Sequence, residues 1–198
     1  SLIYHVRASH FDAGIVIATA FSAVFISIEF CILIGVFLSF MLAVPRAGRM
    51  LLTEFSISSN RVLAERRPED PECSSILMFG LEGEMFFGSA STLEKHLHTI
   101  DERLKGGAKV LVLRMKRIRN PDAVCMHMLS DQVEHWEAAG VHVMLCGVRD
   151  DLYQALERTR FNMQESEVFR EQKLRFSSTL AAVQRAYELL GEENNCPH

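Results

Sequence analysis

Between Ala13 and Val44 the chain carries a single charged residue, Glu29. A run of about 18 or more apolar residues is a membrane signal. As one helix, this stretch would extend roughly 48 Å at about 1.5 Å per residue, against a hydrocarbon core of about 30 Å. One upright helix would also place Glu29 near mid-membrane, at a cost of about 2.5–3.5 kcal/mol. A helical hairpin avoids both problems. Its arms are expected at Gly14–Ser22 and Phe30–Val44, with Ser27 and Glu29 near the turn. The arms are short for independent spans and are expected to lean on helices outside this chain. The alternative is one tilted anchor with Glu29 near an interface. Either arrangement attaches the protein to a membrane.

Arg46 and Arg49 follow the apolar run at once, with Arg61, Arg66 and Arg67 beyond. The positive-inside rule then puts the remainder in the cytoplasm. The apolar run is about twice the length of a signal-peptide core, so a cleavable signal is not expected. The chain opens on Ser1 rather than Met, which suggests a piece of a longer protein. Its net charge of −4 leaves no basic footprint for nucleic acid. Five scattered cysteines show no metal-binding spacing, and a reducing compartment is expected.

The chain divides in this reading into a terminal transmembrane hairpin (1–44), a cytoplasmic linker (45–74), an α/β domain (75–191) and a loose tail (192–198). The breaker-rich Arg66-Arg67-Pro68-Glu69-Asp70-Pro71-Glu72 marks the boundary. Met50–Ala64 is read as a surface-lying or linking segment. Ile76–Leu81 and Met85–Phe87 around Gly83 predict a β-hairpin. Ser91-Thr92-Leu93-Glu94 predicts a capping box for a helix ending before Gly106-Gly107. Val110–Leu113 reads as a central strand covered on both faces. Asn120-Pro121-Asp122 predicts a turn, with Asp122 capping a helix to about Ala139. Val141–Cys146 is the next strand, and Asp150-Asp151 caps a further helix. A short edge strand is expected around Val168-Phe169, followed by a last helix from Ser178 to Leu190. The order predicts a mixed sheet flanked by helices.

These pieces in this order resemble the C-terminal end of SulP-family anion transporters. Asp12, Thr19, Ile34-Gly35-Val36 and Ser39 resemble the family's last membrane hairpin. Glu82-Gly83-Glu84-Met85-Phe86-Phe87-Gly88 resembles the turn that opens its cytoplasmic STAS domain (sulfate transporter and anti-sigma factor antagonist). Val112-Leu113-Arg114-Met115 through Asn120-Pro121-Asp122-Ala123 resembles that domain's central strand and the loop before its main helix. The resemblance implies secondary active transport of an inorganic anion by a dimeric membrane protein of about fourteen helices. It places the transport site in helices this chain lacks, so the chain alone is not expected to transport. The implied partners are the transporter's own membrane domain, a second protomer and the membrane, with a cytosolic protein or a nucleotide as a possible ligand of the STAS surface. The alternative is a self-sufficient, membrane-anchored STAS module that recruits a cytosolic partner.

In stand-alone STAS regulators the loop resembles Asp-x-Ser-Gly, and its serine is phosphorylated. Here the loop reads Asp122-Ala123-Val124-Cys125. Valine has no hydroxyl, so that switch is excluded at this position. The candidate interaction surface is Asn120, Pro121, Asp122, Ala123, Val124 and Cys125. Lys116, Arg117 and Arg119 are candidate contacts for an anion or nucleotide phosphate at the helix N-terminus. The competing reading makes Asp122 a helix cap and the cations a solvated face. His127, Asp131 and His135 share one helix stripe, but one helix alone cannot close around an ion. His96 and His98 are expected on different faces. No catalytic nucleophile context, cofactor motif or metal motif stands out, and no enzyme is expected.

Overall fold

The computed structural model describes residues 10–25, 28–57, 63–66, 75–159, 161, 167–172 and 177–191. Expectations that fall on residues 1–9, on Ser27, on the linker residues 58–62 and 67–74 and on the tail 192–198 lie outside these residues. The chain divides into two compact units, Ser1–Ala47 and Gly48–His198.

The first unit holds two helices, α1 (His10–Phe25) and α2 (Ile28–Ala47). They pack where the side chains are small. The Cys31 thiol donates to the Thr19 carbonyl at 2.8 Å, and Gly35 faces the Thr19 side chain. Around this seam the surface is apolar. Phe21, Ile28, Leu33, Phe37 and Phe40 are each more than half exposed. Among the described residues, no helix is long and apolar enough to cross a membrane. The 16-residue α1 reaches about 24 Å, short of a core of about 30 Å, and the 20-residue α2 reaches about 30 Å.

The second unit is a six-stranded mixed sheet in the order β2-β1-β3-β4-β5-β6. Its strands are β1 (Met50–Ile57), β2 (Leu63–Glu65), β3 (Ile76–Glu84), β4 (Val110–Arg119), β5 (His142–Val148) and β6 (Glu167–Arg170). β1 runs antiparallel to β2 and β3, while β3 through β6 are parallel. Parallel strands need helical crossovers. Three of these helices are α3 (Ala90–Leu104), α4 (Ala123–Ala138) and α5 (Asp150–Arg158); a last helix, α6 (Ser177–Leu190), follows β6.

The apolar runs divide between two layers, as the two-residue period of a strand dictates. Leu111 and Leu113 of β4, with Leu77 and Phe79 of β3, pack into the core that holds Leu97, Leu129 and Trp136. Val110 and Val112, with Ile76 and Met78, pack into the core that holds Ala182, Ala186 and Leu190. The Val110–Leu113 run is therefore covered on both faces, as its composition predicts.

Four expectations need correction. Residues 50–57 and 63–65, inside the stretch read as linker, form β1 and β2 within the compact unit that begins at Gly48. No hairpin forms around Gly83; β3 runs straight through it and pairs with β4. Gly83 has φ 127°, and a Cβ there would fall 2.4 Å from the Arg49 carbonyl oxygen. The glycine serves the close approach of the chain entering β1, not a turn. The Ser91 capping box is also absent. A 3₁₀ turn, Phe87–Ser89, leads directly into α3, so the N-cap is Ser89 and Ser91 already lies inside the helix. Likewise Arg149 is the N-cap of α5, with Asp150 and Asp151 in its first turn. The expected edge strand is present as β6.

Candidate functional site

At the end of β4 the chain must turn sharply into α4. Asn120 adopts φ 49°, a left-handed conformation that asparagine tolerates better than most residues. Its side-chain amide donates to Glu84 Oε2 at 2.5 Å. Pro121 follows, and Asp122 in extended conformation is the N-cap of α4.

The Asp122 carboxylate makes two different contacts. Oδ1 accepts the Cys125 N–H at 3.0 Å and caps α4. Oδ2 accepts the Phe87 N–H at 2.5 Å, in the 3₁₀ turn that follows β3. The Asp122 N–H donates to the Met85 carbonyl at 2.9 Å, and the Met85 N–H donates to the Arg119 carbonyl at 2.8 Å. One side chain thus fastens the exit of β3 to the exit of β4 and to the head of α4. Both carboxylate oxygens are engaged by main-chain donors, and one of them caps α4.

Cys125 is buried beneath this junction. Its thiol donates to the Phe86 carbonyl at 3.2 Å and lies 3.9 Å from the Ser89 hydroxyl. Burial pushes this thiol up to about 11, so it is not poised as a nucleophile. Ser89 is fully buried, and its hydroxyl turns back to the Phe86 carbonyl at 2.7 Å. Val124 is 53% exposed. Solvent reaches the position, but valine offers no oxygen to phosphorylate. Ala123 is exposed beside it, and Phe87 across the junction is 57% exposed. The loop therefore presents small and apolar side chains around a locked carboxylate.

The three cations do not gather at the helix N-terminus. Lys116 pairs with Glu171 at 2.6 Å, beyond β6. Arg117 pairs with Glu82 of β3 through contacts of 2.8 and 3.1 Å, and this carboxylate raises the guanidinium above its ordinary value. Arg119 is exposed. The geometry supports the capping role of Asp122 more directly than a phosphate cradle. His127, Asp131 and His135 are exposed along α4, His98 is exposed on α3, and the half-buried His96 reaches the Met50 carbonyl at 3.1 Å. Sequence reasoning missed Met85, Phe87 and Ser89 as the second wall of the site. Met85 and Phe87 lie in the stretch read there as a strand, and Ser89 lies two residues beyond it.

The sequence matches the STAS domain family over residues 67–181. Among solved structures, the chain is similar to the murine Solute Carrier 26 family member A9 (Slc26a9) anion transporter in the inward-facing state. The two are 15% identical with a TM-score of 0.68 over 92% of this chain and 30% of that one. A second structure of SLC26A9 is 14% identical, with a TM-score of 0.65 over 96% of this chain and 33% of that one. A sulfate transporter family protein from Wolinella succinogenes is 33% identical over 57% of this chain and 88% of that one, with a TM-score of 0.44. No curated protein matches the sequence significantly. The chain spans about a third of the length of the two SLC26A9 structures.

Proposed function

The chain belongs to the STAS domain family, and from that premise we propose that it is the C-terminal segment of a secondary active transporter of an inorganic anion, of the sulfate or bicarbonate type. In this reading residues 1–44 are the transporter's last membrane hairpin. The domain from Gly48 onward lies in the cytoplasm and acts non-covalently in regulation and assembly. It docks on its own membrane domain and on a second protomer, so that its packing biases the transport cycle. The surface that makes these contacts is the Asn120–Cys125 loop with the head of α4.

The observation that carries this reading is the outward apolar surface of α1 and α2. Phe21, Ile28, Leu33, Phe37 and Phe40 are between 55% and 74% exposed on helices that carry almost no charge. Helices apolar all round are covered by protein or by lipid. In this reading they lean on neighbouring helices of the same membrane domain, α1 being only 16 residues long. The likeness in fold to the SLC26A9 structures over more than nine-tenths of this chain is consistent with that setting. The solvent-exposed Val124 supports contact-based rather than phosphorylation-based regulation at this loop.

The test is topology. A Ser9→Cys variant is probed in intact cells with a membrane-impermeant thiol reagent, against the unsubstituted chain as background. A hairpin keeps residue 9 inside, so labelling is expected only after permeabilisation. Labelling in intact cells would contradict the hairpin. It would favour a single anchor carrying a self-sufficient interaction module.

A further inference from the structure

Gly48, Arg49 and Met50 carry the chain into β1, and each packs against the stretch that runs from the end of β3 through the 3₁₀ turn into α3. Gly48 is buried, and a Cβ there would fall 2.5 Å from the Gly88 carbonyl oxygen and 3.0 Å from the Ser89 nitrogen. The Arg49 carbonyl lies against Gly83, where a Cβ would meet it at 2.4 Å. Met50 is buried in the larger core, and His96 of α3 reaches its carbonyl at 3.1 Å. At Gly48 main chain meets main chain with no side chain between, so nothing soft takes up a displacement. Contacts packed this closely transmit strain rather than absorb it.

The other side of the 3₁₀ turn is held by the Asn120–Cys125 loop. Asp122 Oδ2 accepts the Phe87 N–H, and the Cys125 thiol donates to the Phe86 carbonyl. Capping α4 alone needs only the Cys125 N–H. The exposed Phe87 ring stands edge-on to that of Phe86, with centroids 5.3 Å apart. Residues 86–89 therefore touch the loop on one side and the segment that follows α2 on the other. We propose that the 3₁₀ turn Phe87–Ser89 is a mechanical relay between the Asn120–Cys125 loop and Gly48–Met50, so that a partner seated on the exposed Phe87 and Val124 displaces the segment joined to α2. The regulatory use of this relay rests on the transporter reading above, in which α2 ends the membrane domain. The coupling itself lies wholly within Gly48–His198 and holds whether residues 1–44 form a hairpin or a single anchor.

The experiment reads the relay in both directions, in the full chain in detergent. In the first, N-ethylmaleimide labelling is followed site by site by mass spectrometry. Cys125 lies beneath the turn, whereas Cys146 lies in the other core beside Thr179 and reports opening of the domain as a whole. Gly48→Ala pushes on Gly88 and is expected to raise Cys125 labelling about tenfold relative to Cys146. Val183→Ala, in the core that holds Cys146, destabilises the domain without touching the turn and does not raise that ratio. In the second, Asp122→Asn releases Phe87 while keeping the α4 cap. Amide exchange over residues 49–55 is expected to quicken at least about threefold relative to residues 142–148. This measurement needs no crowding substitution and decides by itself if Gly48→Ala does not fold. An unchanged ratio of Cys125 to Cys146 labelling in Gly48→Ala overturns the proposal. So does a matching rise in Val183→Ala, or exchange over residues 49–55 that does not quicken beyond that of residues 142–148 in Asp122→Asn.

Discussion

Replacing Asp122 by alanine removes both contacts that fasten the junction. Loss of an N-cap side chain costs about 0.5–2 kcal/mol. The second contact, Phe87 N–H to Oδ2, has a charged acceptor, for which about 1.5–3 kcal/mol is typical. Phe87 is 57% exposed, so water replaces much of that bond, and about 0.5–1.5 kcal/mol is the appropriate share. The expected total for Asp122→Ala is about 1–3.5 kcal/mol, a measurable part of a domain stability of about 5–15 kcal/mol. Asp122→Asn separates the two contacts. Asparagine is as good an N-cap as aspartate, but it has one acceptor oxygen instead of two. It should retain the Cys125 bond, lose the Phe87 bond and cost about 0.5–1.5 kcal/mol. Urea unfolding of residues 48–198, a compact unit with its own core, reads both values at constant slope. An Asp122→Ala variant within about 0.5 kcal/mol of the parent would refute the double-cap account.

Gly48→Ala would drive a Cβ to 2.5 Å from the Gly88 carbonyl oxygen, and Gly83→Ala would meet the Arg49 carbonyl while holding φ at 127°. Each should destabilise the same unit by about 1–3 kcal/mol in urea unfolding; unchanged midpoints would contradict the close approach of these segments. Burial raises the Cys125 and Cys146 thiols from an ordinary value near 9 to about 11. The folded state therefore keeps two protons that the unfolded state has already released. This stabilising contribution is complete below about pH 9 and is lost as pH rises toward 11. With Cys73 and Cys196 replaced by serine, thiol labelling at pH 8 should be slow until the domain unfolds, and rapid labelling of the folded domain would contradict the burial of both thiols.

What could be read from the sequence was whatever local chemistry decides. Val110–Leu113 reads as a doubly covered strand because four consecutive apolar residues must find cover on both faces. Asn120-Pro121-Asp122 reads as turn and cap because each residue has its own conformational preference, and the structure shows Asn120 and Asp122 in those roles. Gly83 was misread for a physical reason. A glycine between two apolar runs signals a turn, yet its requirement here comes from residues 49 and 50, more than thirty positions earlier. β1 was hidden because its exposed Leu51 and half-buried Leu52 and Phe55 break the alternation that identifies a strand. The Asp122–Phe87 contact spans 35 residues, and the approach of Gly48 to Gly88 exists only once β1 has packed against the turn. Neither leaves a local pattern.

The central claim, that this chain is the STAS-bearing end of an anion transporter, is tested most directly in the coding DNA upstream of the Ser1 codon. The account predicts an open reading frame continuing for roughly 300–400 residues, with repeated apolar segments of about 20 residues each. A start codon with a ribosome-binding site immediately upstream of Ser1 would contradict it.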